Sequence, residues 1–543
     1  MSRTVKLGHR SIDVSWTWVD RLVDHFNPRA GMERLRARTM MAQVGGYTGG
    51  SRDRRATRNW RPKQTSANED ISPDLPSLRS RSRDLVRNVP LATGAISTVV
   101  TNVVGDGLVL QSQIDRAVLG LTEEKADAWQ QAAEREFAVW AKNPDFTGRL
   151  NWDEMQALVL RAELESGDVF IARRRRLGKR DTYGLKLQTI EADRVSNPND
   201  GANTADMVDG IEMDSDGVPI AYHISTRHRD DTQRGLGRTW RRFALGSTVT
   251  GQPLILHLYA QKRPEQARGV PYLAPVIEAI KQLGDYGDAE VRAAVVNALF
   301  TVFVKHDVLP GDDDATVVGQ NDSFANVDPD REVELGSGAM IDLADGEDVT
   351  FADPKRPNAA FDAFVTAVSR HIGVALELPH EVLLKSFTAS YSASRAALEM
   401  AWQFFRTRRT WLAWKFCQPV YEWVITEAVA TGRLSAPGFF ADPIAREAWL
   451  GSEWIGPARI QLDPLKEANA DAKDLEMGTK TRAQIITERT GGSWERKHEQ
   501  LVKEEARRRE DGIGQAAKAA APDEPPTPPD DDLAEDDQET TEQ

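Results

Sequence analysis

The stretch from Tyr272 to Val429 constrains the fold more than any other part of the chain. Apolar residues at helical spacing predict one helix over residues 279–304 and another over 358–376. An acidic insert, residues 305–353, separates them. A loop rich in Ser and Thr, LKSFTASYSAS, then precedes a long helix that begins near Ser392. Two helices that flank a small insert, residues 279–376 in all, predict a projecting arm with a small domain at its tip, which we call the lever. Such a shape fits a structural component of an assembly better than an enzyme with a pocket.

The insert carries a concentrated negative charge. Between Asp307 and Asp353 the sequence has fourteen Asp or Glu residues and one base, Arg331. Candidates for an acidic surface on this insert are Asp312, Asp313, Asp314, Asp328, Asp330, Glu332 and Glu334. Their spacing does not match an EF-hand loop, and short β-type pieces between turn residues predict a small folded head. One interpretation is a solvated acidic loop. If copies of it surround a channel, the negative field would keep a DNA backbone from adhering.

The two ends of the chain have opposite charge. Residues 1–63 hold fourteen Lys or Arg against five Asp or Glu, whereas residues 522–543 hold ten acids and no Lys or Arg. Short helices are expected around Trp16 and Met32, and an extended arm from Gly45 to Pro76. The Arg-rich arm fits equally well with a nucleic-acid contact and with a solvated terminus. The Ala-, Pro- and acid-rich end from Gly512 is expected to be disordered.

Composition points to a protein made in a reducing compartment. There is one cysteine, Cys417, so no disulfide framework can form within the chain. No apolar run reaches the length of ~18 residues that a membrane helix needs. The N-terminus lacks the apolar core of a signal peptide. We therefore expect synthesis and folding in a cytoplasm, with no membrane anchor.

The first half of the chain changes from a helical to a strand pattern. From Leu78 to Gly167 the sequence predicts helices, interrupted at Pro90, with a short strand after Gly107. Residues 168–260 alternate with period two and predict a sheet layer. The run Arg173–Arg176 lies on one of these strands, so at most half of its side chains share a face. A solvated or intersubunit face is favoured there over a nucleic-acid site.

The long last helix is dense in aromatic residues. Eight of them, from Trp402 to Trp423, are distributed on every side, which predicts burial all round, either against other parts of the chain or against a neighbouring copy. Pro419 predicts a bend. After Gly432 the sequence predicts a smaller helical unit. In that unit, Thr481 and Gln484 have capping-box spacing and Ser493 is expected to cap the last helix.

Catalytic motifs do not appear in the sequence. There is no P-loop, no H-E-x-x-H and no G-x-S-x-G elbow, and one cysteine excludes a Cys-rich zinc site. Asp285, Asp288 and Glu290 are conceivable metal ligands, but on a helix Glu290 points away from the other two. A solvated or intersubunit polar face is favoured for them. We therefore expect no enzymatic activity, no cofactor and no metal.

Ordered segments over most of the chain, about Leu78 to Asp511, resemble the lambda-like family of portal proteins of tailed bacteriophages. They include RNVPLATGAI, VVGDGLVLQ, ESGDVFI, QTIEADRVSNP, GIEMDSDGVPIAYHI, RPEQARGVPYLAPVIEAIKQLGDYGDAE, ASYSASRAALEMAW, QLDPLKEANADA and TRAQIITERTGGSWE. Each segment alone is weak evidence; their order over hundreds of residues is strong.

The resemblance implies an α+β portal fold in which each part of the chain has a place. The expected parts are a wing at 76–271, stem helices at 272–304 and 354–380, a small α/β clip at 305–353, a tunnel loop at 381–392, a long spine helix at 393–435 and a helical crown at 436–510. A basic flexible arm, 1–75, and a disordered acidic tail, 511–543, are the regions that match least. The polar residues expected beside the DNA channel are Lys385, Ser386, Thr388, Ser390 and Ser392.

The resemblance also implies partners and a location. Portal subunits form a dodecameric ring at one capsid vertex, in contact with capsid and scaffolding proteins, and double-stranded DNA passes through the ring without sequence recognition. The terminase large subunit docks on the clip during packaging, and head-completion or tail proteins bind there later. The expected location is thus the virion, after assembly in the host cytoplasm.

Two alternatives remain open at this stage. A capsid-associated DNA-binding scaffold would use the basic arm and would bind duplex DNA tightly at physiological salt, whereas an acidic clip predicts weak binding. A hydrolase would need a metal-dependent activity that changes at Asp285 or Asp288 abolish. Lys385 has two equally good interpretations, a phosphate contact that acts as a weak brake on DNA and an ordinary surface lysine near a helix start.

Overall fold

The structure is a computed structural model in which most of the chain is described. The described residues are 2–7, 10–15, 17–43, 47–50, 54–179, 181–231, 237–247, 251–298, 302–306, 347–351, 361–388, 390–459, 463–492 and 494–511. They divide into two compact units, Met1–Asp70 and Ile71–Gln543. Helices and antiparallel sheets together confirm a chain of mixed α and β structure.

The first unit contains more regular structure than the sequence predicts. Its elements are the hairpin β1 (Ser2–Leu7) and β2 (Arg10–Ser15) and the helices α1 (Trp18–Phe26), α2 (Pro28–Gln43) and α3 (Ala67–Ile71), the last of which crosses the boundary of the unit. A capping box between Thr17 and Asp20 starts α1. The buried Asp20 carboxylate also pairs with Arg38, 2.9 Å away. The short helices expected around Trp16 and Met32 are present as α1 and α2, whereas the hairpin of β1 and β2 is an element that the sequence analysis does not predict.

Helices open the second unit largely as predicted. They are α4 (Leu75–Asn88), α5 (Pro90–Val103), α6 (Arg116–Leu119), α7 (Glu123–Ala141) and α8 (Trp152–Ser166). Pro90 begins α5, where its missing N–H costs nothing, so the predicted interruption is confirmed. A capping box between Asn151 and Glu154 starts α8. Gly167 ends α8 with a φ of 89°, a conformation that favours glycine.

Two antiparallel sheets follow. The strands are β3 (Val109–Ser112), which lies earlier in the chain, then β4 (Asp168–Arg175), β5 (Leu185–Glu191), β6 (Met207–Val208), β7 (Ile211–Met213), β8 (Pro219–Ser225), β9 (Trp240–Ala244) and β10 (Ile255–Tyr259). One sheet has the order β10-β4-β5 and the other β6-β7-β8-β9. Phe170, Ile190, Tyr222 and Ile224 pack together as an apolar core between the sheets. The predicted sheet layer over 168–260 is confirmed.

The predicted lever is present, with one correction at its tip. Helix α9 (Ile277–Ala298) is followed by strand β11 (Val302–His306), which pairs antiparallel with β12 (Glu347–Phe351), and helix α10 (Phe361–Ala375) returns. The prediction that the first helix runs through Val304 is wrong. The β-branched and aromatic run Val302, Phe303 and Val304 favours a strand once β12 supplies a pairing partner. Residues 307–346 lie outside the described part of the chain.

The long aromatic helix is continuous but not regular. It consists of α12 (Tyr391–Leu412), a π-helical turn at Ala413–Cys417 and α13 (Gln418–Ala430), and the short α11 (His380–Leu384) precedes it. The π-helical turn ends two residues before Pro419, which lacks an N–H to donate to the helical hydrogen-bond pattern. Within one chain 70% of Trp414 is exposed, so the chain itself does not bury this helix on every side, and burial by a neighbouring copy stays a prediction.

The C-terminal elements pack against the beginning of the unit. They are α14 (Pro443–Trp449), β13 (Ser452–Ile455), α15 (Pro464–Met477), α16 (Arg482–Thr490) and α17 (Trp494–Glu510). Strand β13 pairs with β3, more than three hundred residues earlier. The predicted capping box of Thr481 and Gln484 is confirmed. The expected cap at Ser493 and the acidic end from Gly512 lie outside the described residues.

One apolar core joins α4, α5, α7 and α8 to the long helix. Trp152 on α8 is central to it: its ring stacks on Phe416 at 5.0 Å between ring centroids and meets Phe137 edge-on at 5.6 Å. Phe137 also contacts Tyr421, whose hydroxyl lies 3.1 Å from the hydroxyl of Ser112 on β3. The long helix is thus the structural centre of the second unit. No described helix combines the length and the apolar character that crossing a bilayer requires.

Candidate functional site

The loop between α10 and α12 is held by buried anchors and presents exposed polar groups. Helix α11 lies in its first half, and its Val382 and Leu383 are buried against α5 and α12. Lys385 ends α11 in the left-handed conformation, with a φ of 54°, and its N–H donates to the carbonyl of Glu381. The basic side chain of Lys385 therefore lies at a sharp turn that the buried side chains of Val382 and Leu383 hold in place.

The chain bends tightly where α10 leads into this loop. The N–H of Leu378 donates to the carbonyl of Gly373 at 2.9 Å, and a Cβ at Gly373 would overlap the carbonyl oxygen of Leu378. Tyr272, which precedes α9, donates its hydroxyl to the carbonyl of Leu376 and stacks on Phe404 of α12. The segment before α9, the end of α10 and the start of α12 therefore pack together.

The five predicted channel residues are solvent-exposed in and beside this loop. Lys385, Ser386, Thr388, Ser390 and Ser392 are all exposed. Within the predicted tunnel loop of 381–392, residues 381–384 belong to α11 and residues 391 and 392 to α12. Ser390 is the N-cap of α12, and its hydroxyl accepts the N–H of Ala393 at 3.4 Å. Sequence reasoning missed α11, since five residues are too few to show a helical period.

Lys385 also lies on the rim of a cavity of about 230 Å³. The cavity is lined by α5, the loop and α12, together with Arg459 and Glu467, and Phe405 and Val382 are among its apolar residues. Among the described residues, no carboxylate pairs with the Lys385 ammonium group. An exposed, unpaired ammonium beside several hydroxyls is suited to transient contact with phosphate oxygens.

The candidate metal ligands on α9 do not form a site. Asp285 pairs with Lys281 one turn earlier and is exposed, whereas Glu290 is buried. Within the part of the chain that the structure describes, no group of three His, Cys, Asp or Glu side chains is placed to hold a metal ion. The acidic residues predicted for the clip, Asp312, Asp313, Asp314, Asp328, Asp330, Glu332 and Glu334, lie outside the described residues.

A buried charge cluster, which sequence reasoning missed, holds the junction between the sheets and the lever. The Asp168 carboxylate accepts hydrogen bonds from Arg79 Nη2 at 2.8 Å and from Arg268 Nε at 2.6 Å, and His257 Nε2 lies 3.1 Å away. These side chains come from α4, β4, β10 and the segment that leads into α9. No local sequence pattern predicts the cluster, because its members are far apart in sequence.

Backbone carbonyls complete the same cluster. Arg268 donates to the carbonyls of Ala192 at 2.8 Å, Val195 at 2.9 Å and Asp209 at 2.6 Å. Next to it, Gly269 passes so close to Gly167 that a Cβ would overlap the carbonyl of Gly167. The chain therefore enters the lever through a fixed point.

Burial and charge oppose each other at this cluster. Burial alone would raise the pKa of Asp168, but Arg268 and Arg79 hold it well below its usual range. Burial lowers the pKa of His257, and the bond to Asp168 offsets only part of that effect. We infer a neutral imidazole whose Nε2–H donates a hydrogen bond to an ionised carboxylate.

Comparison with known proteins agrees with the resemblance seen in the sequence. The family model described as phage portal protein, lambda family, matches residues 53–409. The portal protein of Escherichia phage N15 is 24% identical over 499 residues, which cover 88% of this chain and 93% of that protein. Portal protein B of Escherichia phage lambda is 22% identical over 495 residues, 88% of this chain and 92% of that protein.

Solved structures with a similar course of the chain come from gene transfer agent particles. The neck of the native particle, computed with C12 symmetry, has a TM-score of 0.39 and 13% identity, and covers 75% of this chain and 92% of that chain. The virion of the native particle has a TM-score of 0.41 and 14% identity, and covers 79% of this chain and 93% of that chain. These TM-scores are low, so the assignment rests on the sequence matches. Because the family model spans well over half of the sequence, the chain belongs to the lambda family of phage portal proteins.

Proposed function

We propose that copies of this chain form a closed ring at a capsid vertex, around a channel through which double-stranded DNA enters and leaves. Besides the family assignment, one observation carries this proposal: large apolar side chains on the lever and the long helix face outward in a single chain. They are Val291, Val295, Phe364, Val374, Met400 and Trp414, each at least half exposed or nearly so. A set of large apolar side chains exposed on long helices is typical of a surface that another protein covers. In a ring, the neighbouring copies cover it.

The predicted division of the chain becomes a proposal with one boundary moved. The wing is 76–271, the stem is α9 with α10, the spine is α12 to α13, and the crown is 436–510. We place the start of the clip at Val302 rather than at residue 305, because β11 and β12 pair with each other. The paired strands β11 and β12 then connect the clip to the stem.

The proposed partners follow from this arrangement and from the charge of the insert. The clip is the docking surface for the terminase large subunit and later for head-completion or tail proteins, while the outer surface of the ring contacts capsid and scaffolding proteins. ATP hydrolysis belongs to the terminase, and this chain is a passive conduit. Fourteen acids against one base between Asp307 and Asp353 support a clip that repels DNA.

Lys385 is the residue proposed to touch DNA. Its αL turn and the buried α11 hold the ammonium at the exposed end of the loop, where the hydroxyls of Ser386 and Thr388 are also exposed. A single phosphate contact per subunit is weak and salt-dependent. It therefore slows DNA without binding it permanently.

Replacement of Lys385 with Ala should alter the amount of DNA packaged or retained while the ring stays intact. The measurement is nuclease-protected DNA per particle in a packaging assay, with ring assembly checked by electron microscopy. Lys125→Ala, an exposed lysine on α7, is the matched control and should leave packaging unchanged. Unchanged packaging by Lys385→Ala would remove the proposed DNA contact but not the ring.

A further inference from the structure

We propose that the open end of the two-sheet core is a binding site for a phosphate-type oxyanion. A cleft of about 170 Å³ lies there between the sheet of β4 and β5 and the sheet of β8 and β9. Three arginines, Arg174, Arg194 and Arg241, line it together with the side chain of Gln188. The cleft lies apart from the loop of Lys385 both in sequence and in the residues that line it.

Strand alternation explains how the arginines come to line one cleft. Phe170 and Ala172 on β4 are buried between the sheets, and Arg174 is the next residue on the same face. On β9, Phe243 packs against this core and Arg241 lies two residues earlier. The apolar face of each sheet thus continues into a guanidinium at the same end.

The three positive charges have no acidic partner in the part of the chain that is described. Arg174 lies over the ring of Phe146 at 4.9 Å and Arg241 over the ring of Phe243 at 5.5 Å. Arg194 donates Nε and Nη2 to the carbonyl of Ser225, at 3.0 and 2.9 Å, so its Nη1 remains available. These contacts orient the guanidiniums but leave their charge unneutralised.

Two neighbouring arginines, one on β9 and one just before it, have acidic partners. Arg242 pairs with Glu212 at 2.8 Å, and Arg238 pairs with Asp200 at 2.6 Å. The carboxylates close to this region are therefore already used by arginines outside the cleft. An external anion is what would balance the charge within the cleft.

The chemistry of the lining favours phosphate over other anions. Guanidinium groups present planar pairs of N–H donors that match the oxygens of phosphate, and several of them converge more readily on a tetrahedral dianion than on one carboxylate. Free phosphate and the backbone phosphate of a nucleic acid share this chemistry. Only the second source rests on the proposed role of the chain beside DNA.

The test is isothermal titration calorimetry of the full-length protein with inorganic phosphate at constant ionic strength. We expect saturable binding that weakens at least about tenfold in the double variant Arg174→Gln, Arg241→Gln, since two of three charged donors are lost. Arg175→Gln is the matched control, because Arg175 lies on the same strand with its side chain on the opposite face. It should bind phosphate as the unmodified protein does.

Circular dichroism melting curves establish that each variant is folded. Absence of saturable binding by the folded unmodified protein would overturn the proposal, as would equal weakening in Arg175→Gln and the double variant. Ring formation by the same samples, viewed by electron microscopy, is independent of the cleft, so failure of this site and failure of the proposed function are distinguishable.

Competition identifies the source of the anion. If a short DNA duplex binds, is displaced by phosphate and is lost in the double variant, the site takes a backbone phosphate. If phosphate binds and the duplex does not, the site takes the free ion. Tighter binding of an oligoaspartate peptide than of phosphate would contradict the phosphate assignment.

Discussion

At the scale of single residues, Asp168 has the largest consequences, because its carboxylate contacts two buried guanidiniums. Replacement of Asp168 with Asn would remove the carboxylate between Arg79 and Arg268 and leave Asp193, 3.5 Å from Arg79, as the remaining acidic contact. We expect a loss of about 3–5 kcal/mol in the free energy of unfolding. Denaturant titrations of the variant and of the unmodified protein give this difference.

The control for that change is an exposed aspartate with an exposed partner. Asp84 pairs with Arg87 at 3.1 Å on the surface of α4, and Asp84→Asn should cost less than about 1 kcal/mol. Equal losses from the two variants would show that the buried cluster is not a structural centre.

His257 gives the same cluster a pH dependence of known sign. Burial lowers the pKa of its imidazole below the ordinary value of 6.5, so as the pH falls the unfolded chain takes up the proton before the folded chain does. Stability contributed by neutral His257 is therefore complete above that pH and is lost as the pH falls below it, by up to about 1.4 kcal/mol per pH unit.

The matched variant is His257→Gln, which keeps a donor toward Asp168 but does not titrate. Denaturation midpoints at about pH 7.5, 6.5 and 5.5 should fall more steeply for the unmodified protein than for the variant. Parallel curves would show that the imidazole titrates alike in the folded and unfolded chains.

At the scale of elements, replacement of two aromatic residues in the same turn of the long helix should have different effects, one on folding and one on association. Phe416 is fully buried against Trp152, whereas 70% of Trp414 is exposed. Phe416→Ala should lower the free energy of unfolding by about 3–5 kcal/mol. Trp414→Ala should change it by no more than about 0.5 kcal/mol but should weaken association between subunits.

Sedimentation velocity of the two folded variants, together with denaturant titration, separates these effects. Trp414→Ala with undiminished association would mean that the exposed face of the long helix is not an interface between subunits.

Local signals predicted elements well where the cause lies within a few residues. Pro90 marked the break between α4 and α5, and Thr481 with Gln484 marked the start of α16. The helical prediction wrongly includes residues 302–304 of strand β11, because a strand there depends on pairing with β12, about forty residues later. The same limit explains the loop around Lys385, where a single helical turn is held by tertiary contacts of Val382 and Leu383.

At the scale of the whole molecule, the sequence could not predict features that depend on contacts between residues far apart in the chain. Strand β13 completes β3, so the C-terminal segment packs as part of the second unit. The Asp168 cluster joins residues from Arg79 to Arg268, and the arginine cleft joins two sheets. Family resemblance supplied the function, but only the folded chain shows which polar groups meet.

The ring is the central claim, and the most direct measurement is electron microscopy of the purified full-length protein, together with its mass in solution. We predict end-on views of closed rings with a central hole, and a mass that is a whole multiple of the 60.3 kDa subunit. A homogeneous monomer of 60.3 kDa at concentrations where the exposed apolar faces should associate, with no rings in the images, would contradict the account.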